Sequence, residues 1–175
     1  QGVLFECGVK GVFLDDALAV NASVFQLDIS DTPISDPENG PGDDFVIPGG
    51  EAERSGVELE VIGQLNENLS LSVNYAYIDG QLTEAPDDPF LVGRDLAIGP
   101  TQSFSTFLSY TFTTNDRWDG LNLGASISYA DEQTPSVNVD YKLPSYTLVD
   151  LRASYPIREN IEIGLNIQNV LDEEY

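Results

Sequence analysis

Apolar and polar residues alternate along most of the chain, and this period of two limits the possible folds more than any other feature. The clearest run sets Leu69, Leu71, Val73, Tyr75 and Tyr77 against Ser70, Ser72, Asn74 and Ala76. Runs that begin near Val57, Leu121, Val149 and Ile161 alternate in the same way. Successive side chains of a β-strand point to opposite faces, whereas a helix repeats about every 3.6 residues. The pattern therefore predicts an all-β chain of about eight antiparallel strands, with a change of parity near Val24 and Phe25.

The connections between these segments differ in length. Short turns are predicted at 15–16, 66–68, 113–120 and 158–160, and long loops rich in Pro, Gly and Asp at 30–52, 79–100 and 130–145. Short turns on one side and long loops on the other are typical of outer-membrane barrels, whose strands need about 9–11 residues to cross a bilayer. No stretch approaches the roughly 18 apolar residues of a transmembrane helix.

Aromatic residues fall near both ends of the predicted strands. Phe25, Tyr75, Tyr77, Phe104 and Tyr129 lie toward the long loops, and Phe13, Tyr110, Phe112 and Tyr155 lie toward the short turns. Two such bands are typical of the girdles at the two membrane interfaces, although aromatic residues also favour strands in general. We interpret the apolar face as the lipid-facing exterior and the face of small polar residues as the lumen.

Composition excludes several classes of protein. The chain has 7 Lys+Arg against 30 Asp+Glu, a net charge of −23, no His and one cysteine, Cys7. Absence of His excludes a catalytic triad, and one cysteine cannot form a zinc site. The negative charge repels phosphate, so no nucleic-acid partner is expected. We expect no enzyme activity, no cofactor and no metal site. Because the sequence starts at Gln1 and has no Met, we interpret it as a piece of a longer protein.

Several motifs resemble the C-terminal half of the barrel of TonB-dependent siderophore receptors. They are Glu6-Cys7-Gly8-Val9-Lys10, Arg54-Ser55-Gly56-Val57-Glu58-Leu59-Glu60, Val92-Gly93-Arg94, Gly120-Leu121-Asn122-Leu123-Gly124 and Leu143-Pro144-Ser145-Tyr146. The last is Asn169-Val170-Leu171-Asp172-Glu173-Glu174-Tyr175, which is similar to the family signature Asn-Leu-Phe-Asp-x-x-Tyr. The order and spacing of the motifs, rather than any single one, carry the resemblance.

The resemblance implies a barrel of about 22 strands around a plug. Residues 1–175 would be an open segment of that transmembrane barrel, without the plug domain and the final strand. The parent would be a receptor in the outer membrane of a Gram-negative bacterium, surrounded by lipid and lipopolysaccharide. It would bind and import a ferric siderophore or similar chelate, energised by the TonB complex through the missing N-terminal part.

Three groups of candidate residues follow. The ligand-binding candidates in the loops are Phe90, Arg94 and Tyr141, and Arg94 has the alternative role of anchoring its loop. The lumen-facing candidates are Glu6, Lys10, Glu58, Glu60, Asp150 and Arg152. The family motifs imply structural roles for Gly56, Pro144, Tyr146, Asn169, Asp172 and Tyr175. An acidic group in the first long loop, namely Asp36, Glu38, Asp43 and Asp44, is interpreted as solvated or facing lipopolysaccharide, because its spacing does not match an EF-hand.

Two other kinds of protein fit parts of the pattern. One is a passive porin or a small self-contained barrel, in which residues 3–13 would pair with 161–171 to close the ring. The other is a secreted acidic β-sandwich that binds Ca²⁺ or carbohydrate.

Overall fold

The computed structural model describes residues 1–35, 46–86, 88–96, 99–114, 116–137 and 139–175, with the backbone alone at 32–35 and 46–48. The strands are β1 (Gly2–Phe13), β2 (Leu18–Ser35), β3 (Val46–Gln64), β4 (Leu69–Glu84), β5 (Gln102–Thr111), β6 (Asn122–Ala130), β7 (Tyr146–Arg158) and β8 (Ile161–Ile167). A three-residue 3₁₀ helix, Pro89–Leu91, lies between β4 and β5. In this described part, no helix has the length and hydrophobicity of a membrane-spanning helix.

The eight strands form one antiparallel sheet in sequence order, from β1 to β8. Each strand pairs with its neighbours along the chain, and β1 and β8 are the two outer edges. The predicted open meander is therefore confirmed. A small closed barrel would require β1 to pair with β8, and a sandwich would require a second sheet. Across the described residues the structure has neither feature, which argues against both.

The strand registers sort the side chains into two faces, as the alternation predicts. Residues directly opposite each other in a ladder lie on the same face of a sheet. One face carries the apolar set, which includes Leu71, Val73, Leu123, Ile127, Val149, Ile163 and Leu165. The other face carries the polar set, which includes Ser72, Asn74, Ser126, Arg152 and Asn166. We refer to these as the apolar face and the polar face.

Aromatic residues on the apolar face form a row across three strands. Tyr75 lies opposite Phe104, and Phe104 lies opposite Tyr129. Toward the short turns the apolar face carries Tyr110, which packs edge-on against Phe112 with ring centroids 4.9 Å apart. Phe25 is an exception to the predicted girdle. Its register partner is Gly56, and both lie on the polar face, so its ring is directed away from the lipid side.

β2, β3 and β4 extend further than predicted. Residues 30–35 and 46–52 belong to strands rather than to a loop, and β4 continues to Glu84 rather than ending before 79. The polarity of the two faces exchanges along these extensions. Asp28 and Glu53 oppose each other on the side of the apolar face, while Leu27 and Ile29 lie on the side of the polar face. A backbone ladder does not depend on side-chain polarity, so the strands continue through this exchange.

This exchange also explains the change of parity near Val24 and Phe25. The pairing of β1 with β2 runs without interruption from Gly2–Ile29 to Phe13–Leu18. The irregularities in the pairing with β3 occur only beyond Ile29. At the other edge, β8 ends at Ile167 rather than at Leu171 as predicted, because the C-terminal residues turn back toward β7.

Two of the predicted short connections lie where the sequence places them. Two residues join β7 and β8, and residues 112–121 join β5 and β6, within one residue of the predicted 113–120. In that connection the Asp116 carboxylate accepts hydrogen bonds from the Thr114 hydroxyl at 2.6 Å and the Trp118 amide at 2.9 Å. These hydrogen bonds lower the pKa of Asp116, with the Thr114 contact the larger cause. The Tyr155 hydroxyl holds the connection to β7 by donating to the Arg117 carbonyl at 2.8 Å.

Very little of the described chain is buried. The hydrophobic core consists of Ala52, Leu82 and Ala85, with Ile29, Leu91 and Leu96 packed against it. In contrast, Phe5 is 66% and Leu165 59% exposed on the apolar face. An uncovered apolar surface of this extent requires lipid and neighbouring strands to cover it.

Candidate functional site

A broad hollow lies against the polar face. It encloses about 580 Å³ and spans β2 to β7. Two successive rows of register partners supply most of its floor: Ser23, Glu58, Ala76, Ser103, Ala130 and Tyr146 in one, and Asn21, Glu60, Asn74, Ser105 and Ser128 in the other. Small hydroxyl and amide side chains leave this space open and can form hydrogen bonds to whatever fills it. The hollow is the part of the sheet best suited to face water or another protein segment.

Charged residues are distributed along the polar face as the sequence predicts. Glu58 and Glu60 line the large hollow, and Lys10 and Glu60 line a second hollow of about 360 Å³. Glu6 is the register partner of Phe25 and therefore shares this face. The assignment of these residues to a lumen stays a prediction, because it depends on the rest of the barrel.

Asp150 and Arg152 lie on the polar face of β7 and line a small hollow of about 180 Å³. The Asp150 carboxylate accepts a hydrogen bond from the Ser126 hydroxyl at 3.2 Å and one from the Asn169 amide at 2.8 Å. A carboxylate that binds a backbone amide makes a charge-assisted hydrogen bond, which is stronger than a neutral one. Asp150 therefore has a local structural role that the sequence did not reveal.

The C-terminal motif folds back on β7. Asn169 and Asp172 adopt left-handed backbone conformations, with φ of 49° and 53°. The Asn169 side chain closes the turn by accepting from the Glu173 amide and donating to the Glu173 carbonyl, both at 2.9 Å. Tyr175 then stacks on Tyr146 with ring centroids 4.9 Å apart. Asn tolerates positive φ better than most residues, and these contacts give a physical reason for Asn169, Tyr146 and Tyr175. Asp172 has only its backbone conformation as an explanation, and no described contact explains Pro144.

Removing the Asp150 carboxylate is expected to loosen this turn. In the full-length receptor, Asp150→Ala should lower the hydrogen-exchange protection of the Asn169 and Val170 amides by at least about tenfold, because a lost charge-assisted bond costs about 1.5–3 kcal/mol. Asp150→Asn keeps an acceptor and should lose less. Glu162→Ala removes a carboxylate from the neighbouring strand and serves as the control. Equal protection in the Asp150→Ala and Glu162→Ala proteins would contradict this role.

The structure places two of the three loop candidates together and the third apart. Arg94 and Tyr141 line one cleft of about 230 Å³ between the second long loop (residues 85–101) and the third (131–145). Phe90 is not among the residues that line this cleft. Its ring is 88% exposed, and its amide donates to the Asp88 carboxylate at 3.1 Å. The structure thus brings Arg94 and Tyr141 together and leaves Phe90 as a separate exposed aromatic ring.

The Arg94 guanidinium is already occupied by protein groups. It donates to the Val137 carbonyl at 3.0 Å and forms an ion pair with Asp140 at 3.0 Å. The alternative role of Arg94 as a loop anchor therefore fits these contacts. Asp140 is not among the candidates from the sequence. The sequence shows only that it is an acidic residue in a neighbouring loop, which does not single it out as the partner of Arg94.

The acidic group Asp36, Glu38, Asp43 and Asp44 lies outside the described residues. Within the described ranges, no group of three or more His, Cys, Asp and Glu side chains is arranged to hold a metal ion.

Comparison with known proteins identifies the class of this chain. Residues 2–170 match the family described as TonB dependent receptor-like, beta-barrel. The metal-pseudopaline receptor CntO of Pseudomonas aeruginosa is 36% identical over 177 residues, and the match covers 100% of this chain and 24% of CntO. The ferrichrome outer membrane transporter/phage receptor of Escherichia coli K12 is 29% identical, with 100% and 23% covered. The chain thus spans about a quarter of the length of these relatives.

Solved structures share the fold. The ferric yersiniabactin uptake receptor FyuA of Yersinia pestis superposes with a TM-score of 0.82 at 15% identity, covering 98% of this chain and 25% of that one. The ferripyoverdine receptor of Pseudomonas aeruginosa gives 0.77 at 22% identity, covering 98% and 23%. At these identities the likeness concerns the fold alone. Together with the match over residues 2–170, it establishes that the chain belongs to the β-barrel family of TonB-dependent receptors, which are outer-membrane proteins of Gram-negative bacteria.

Proposed function

We propose that this chain is a segment of the barrel of a receptor that binds a ferric siderophore or similar metal chelate and imports it with energy from the TonB complex. The family match over nearly the whole chain is the observation that carries the proposal. Relatives named as receptors for metal-pseudopaline, ferrichrome and ferric pyoverdine support the substrate class. On this proposal, the plug domain, the final strand and the remaining barrel strands belong to the rest of the parent protein.

The two faces of the sheet fit this role. The apolar face carries aromatic rows at its two ends and would contact lipid. The polar face has a hollow of about 580 Å³ and would contact the plug or the passing cargo. Small polar side chains do not fill a narrow interior, which favours a wide barrel over an eight-stranded one. Binding and release then need no covalent chemistry from this chain.

Ligand contact is assigned to the loop end of the sheet. Phe90 and Tyr141 expose aromatic rings there, 88% and 60% accessible respectively. Aromatic rings bury large apolar areas when a ligand covers them. Arg94 lies in the same region, but its guanidinium already binds the Val137 carbonyl and the Asp140 carboxylate. We therefore assign direct contact with the chelate to Phe90 and Tyr141 rather than to Arg94.

Uptake of labelled chelates tests the proposal. A strain carrying the full-length gene and its deletion mutant would be given iron-55 ferrichrome, iron-55 ferrioxamine B, iron-55 pyoverdine and metal-loaded pseudopaline in turn. We expect uptake of at least one chelate to require the gene and to stop when TonB is deleted. Gene-dependent uptake that continues without TonB would instead indicate a passive channel. Gene-independent uptake of every chelate in the panel would remove support for this substrate class.

A further inference from the structure

The second and third long loops are joined by side-chain contacts. Arg94 of the second loop donates from Nη1 to the Val137 carbonyl of the third, at 3.0 Å. Its other terminal nitrogen, Nη2, lies 3.0 Å from Oδ1 of Asp140. A planar guanidinium presents several donors in a fixed fork. One side chain thereby fixes two points of the third loop at once.

A second cation joins the same two loops from the opposite direction. The Lys142 Nζ of the third loop lies 2.9 Å from Oε1 of Glu132 and 3.6 Å from Oδ2 of Asp95 in the second loop. The Thr134 hydroxyl is 3.5 Å from the same Asp95 oxygen. The hydrogen bond to Glu132 is the largest cause of the raised pKa of Lys142, and the lysine stays charged at neutral pH.

Each loop is also fixed to itself or to the sheet. In the third loop Gln133 and Leu143 exchange both backbone hydrogen bonds, at 3.1 and 2.9 Å. In the second loop the Gly93 amide donates to the Leu82 carbonyl and the Leu82 amide to the Arg94 carbonyl. The backbone at Arg94 therefore continues the ladder of β4. This makes Arg94 a fixed point from which its side chain can hold the third loop.

We propose that Arg94 is a positioning residue that holds the third loop, and with it Tyr141, against the second loop, so that the two loops move as one body. The contacts lie at the surface, where Arg94 is 34% and Asp140 88% exposed. Such pairs are individually weak and are screened by salt. The joined state is therefore sensitive to ionic strength. Only the consequence for ligand binding depends on the proposed function, because the contacts themselves need no ligand.

Distance measurements between spin labels test this inference without a ligand. Labels would be placed at Phe90→Cys and Tyr141→Cys in the full-length receptor with Cys7→Ser, because both sites are exposed and neither contributes a side chain to the inter-loop contacts described above. In low salt we expect a narrow distribution of label distances. Arg94→Gln should broaden it about twofold, and Arg94→Lys should give an intermediate width because lysine lacks the fork. Arg117→Gln changes a cation in the β5–β6 connection and is the matched control.

Salt supplies an independent measurement on the labelled protein in which Arg94 is intact. Raising NaCl from about 0.05 M to 1 M shortens the Debye length from roughly 14 Å to 3 Å. We expect the labelled parent to broaden toward the width of the Arg94→Gln protein. The Arg94→Gln protein should broaden less than the parent, because, of the described ion pairs between the two loops, only that of Lys142 with Asp95 is left for salt to screen. A parent distribution that is unchanged by salt, or an Arg94→Gln distribution equal to that of the parent, would overturn the inference. Neither spin-label measurement uses a chelate, so both can be interpreted even if the uptake experiment fails.

Discussion

Gly56→Val is expected to reduce the amount of folded full-length receptor in the outer membrane severely. A Cβ at position 56 would collide with the Tyr77 carbonyl oxygen and would lie 2.8 Å from two carbons of the Phe25 ring. The carbonyl belongs to the neighbouring strand and cannot move without breaking the ladder. Overpacking of this kind costs about 3 kcal/mol at the upper end of its usual range. The measurement is the fraction of receptor that resists unfolding by SDS before heating.

Two further variants sharpen this prediction. Gly164→Val places the same side chain on the same face, where the nearest described atom is the Ala153 carbonyl oxygen at 3.9 Å. It is expected to leave folding largely intact. Adding Phe25→Ala to Gly56→Val should restore part of the folded fraction, because it removes the ring but not the carbonyl. Similar losses for Gly56→Val and Gly164→Val would show that close packing at Gly56 is not the cause.

The assignment of residues to faces was predictable because two solvents impose it. A strand between lipid and a polar interior must place apolar and polar residues on opposite sides, so Leu123 and Ser126 could be separated from the sequence alone. Antiparallel segments that follow one another along the chain then make sequence-order pairing the simplest arrangement. The alternation also predicts that Tyr75, Phe104 and Tyr129 lie near one end of the sheet, and the registers place them in one row.

Alternation predicts the strand ends wrongly where a strand extends beyond the lipid. Asp31, Glu51 and Asp79 fall in predicted loops, yet they lie in β2, β3 and β4. On the proposed orientation, water would cover the outer side beyond the lipid, and the small core around Leu82 lies on the side of the polar face. The polarity pattern then reverses while the backbone ladder continues. Alternation interpreted with one fixed orientation cannot follow such a reversal.

Contacts between loops were harder still to predict. The path of each loop decides which of many carboxylates a cation meets, and no spacing rule relates Arg94 to Asp140 or Lys142 to Asp95. The C-terminal motif shows the same difficulty in another form. Its residues were identified by resemblance, but the hydrogen bond from the Asn169 amide to Asp150 joins positions on two separate segments and becomes visible only in three dimensions.

Replacing Ile127 by arginine is expected to be far more damaging than replacing its neighbour Ser128. Ile127 lies in the middle of β6 on the apolar face, between Thr106 and Val149, and is 42% exposed in the described sheet. An arginine directed into lipid near the bilayer midplane costs about 2–4 kcal/mol in a membrane barrel. Folding of the full-length receptor in lipid vesicles, followed by denaturant titration, should register a loss of this size for Ile127→Arg.

Ser128→Arg provides the matched comparison, because it introduces the same side chain one residue along the same strand. Ser128 lines the hollow of about 580 Å³ on the polar face. An arginine there has room to stay hydrated, and Glu58 and Glu60 line the same hollow with carboxylates of opposite charge. We expect its cost to stay below that of Ile127→Arg by at least about 2 kcal/mol, since the difference between the two sites is the lipid itself. In detergent-free denaturant, where both chains are unfolded, the two variants should behave alike. Equal losses for the two substitutions, or a larger loss for Ser128→Arg, would mean that the apolar face of β6 does not contact lipid, and the assignment of exterior and lumen for the whole sheet would have to be reversed or abandoned.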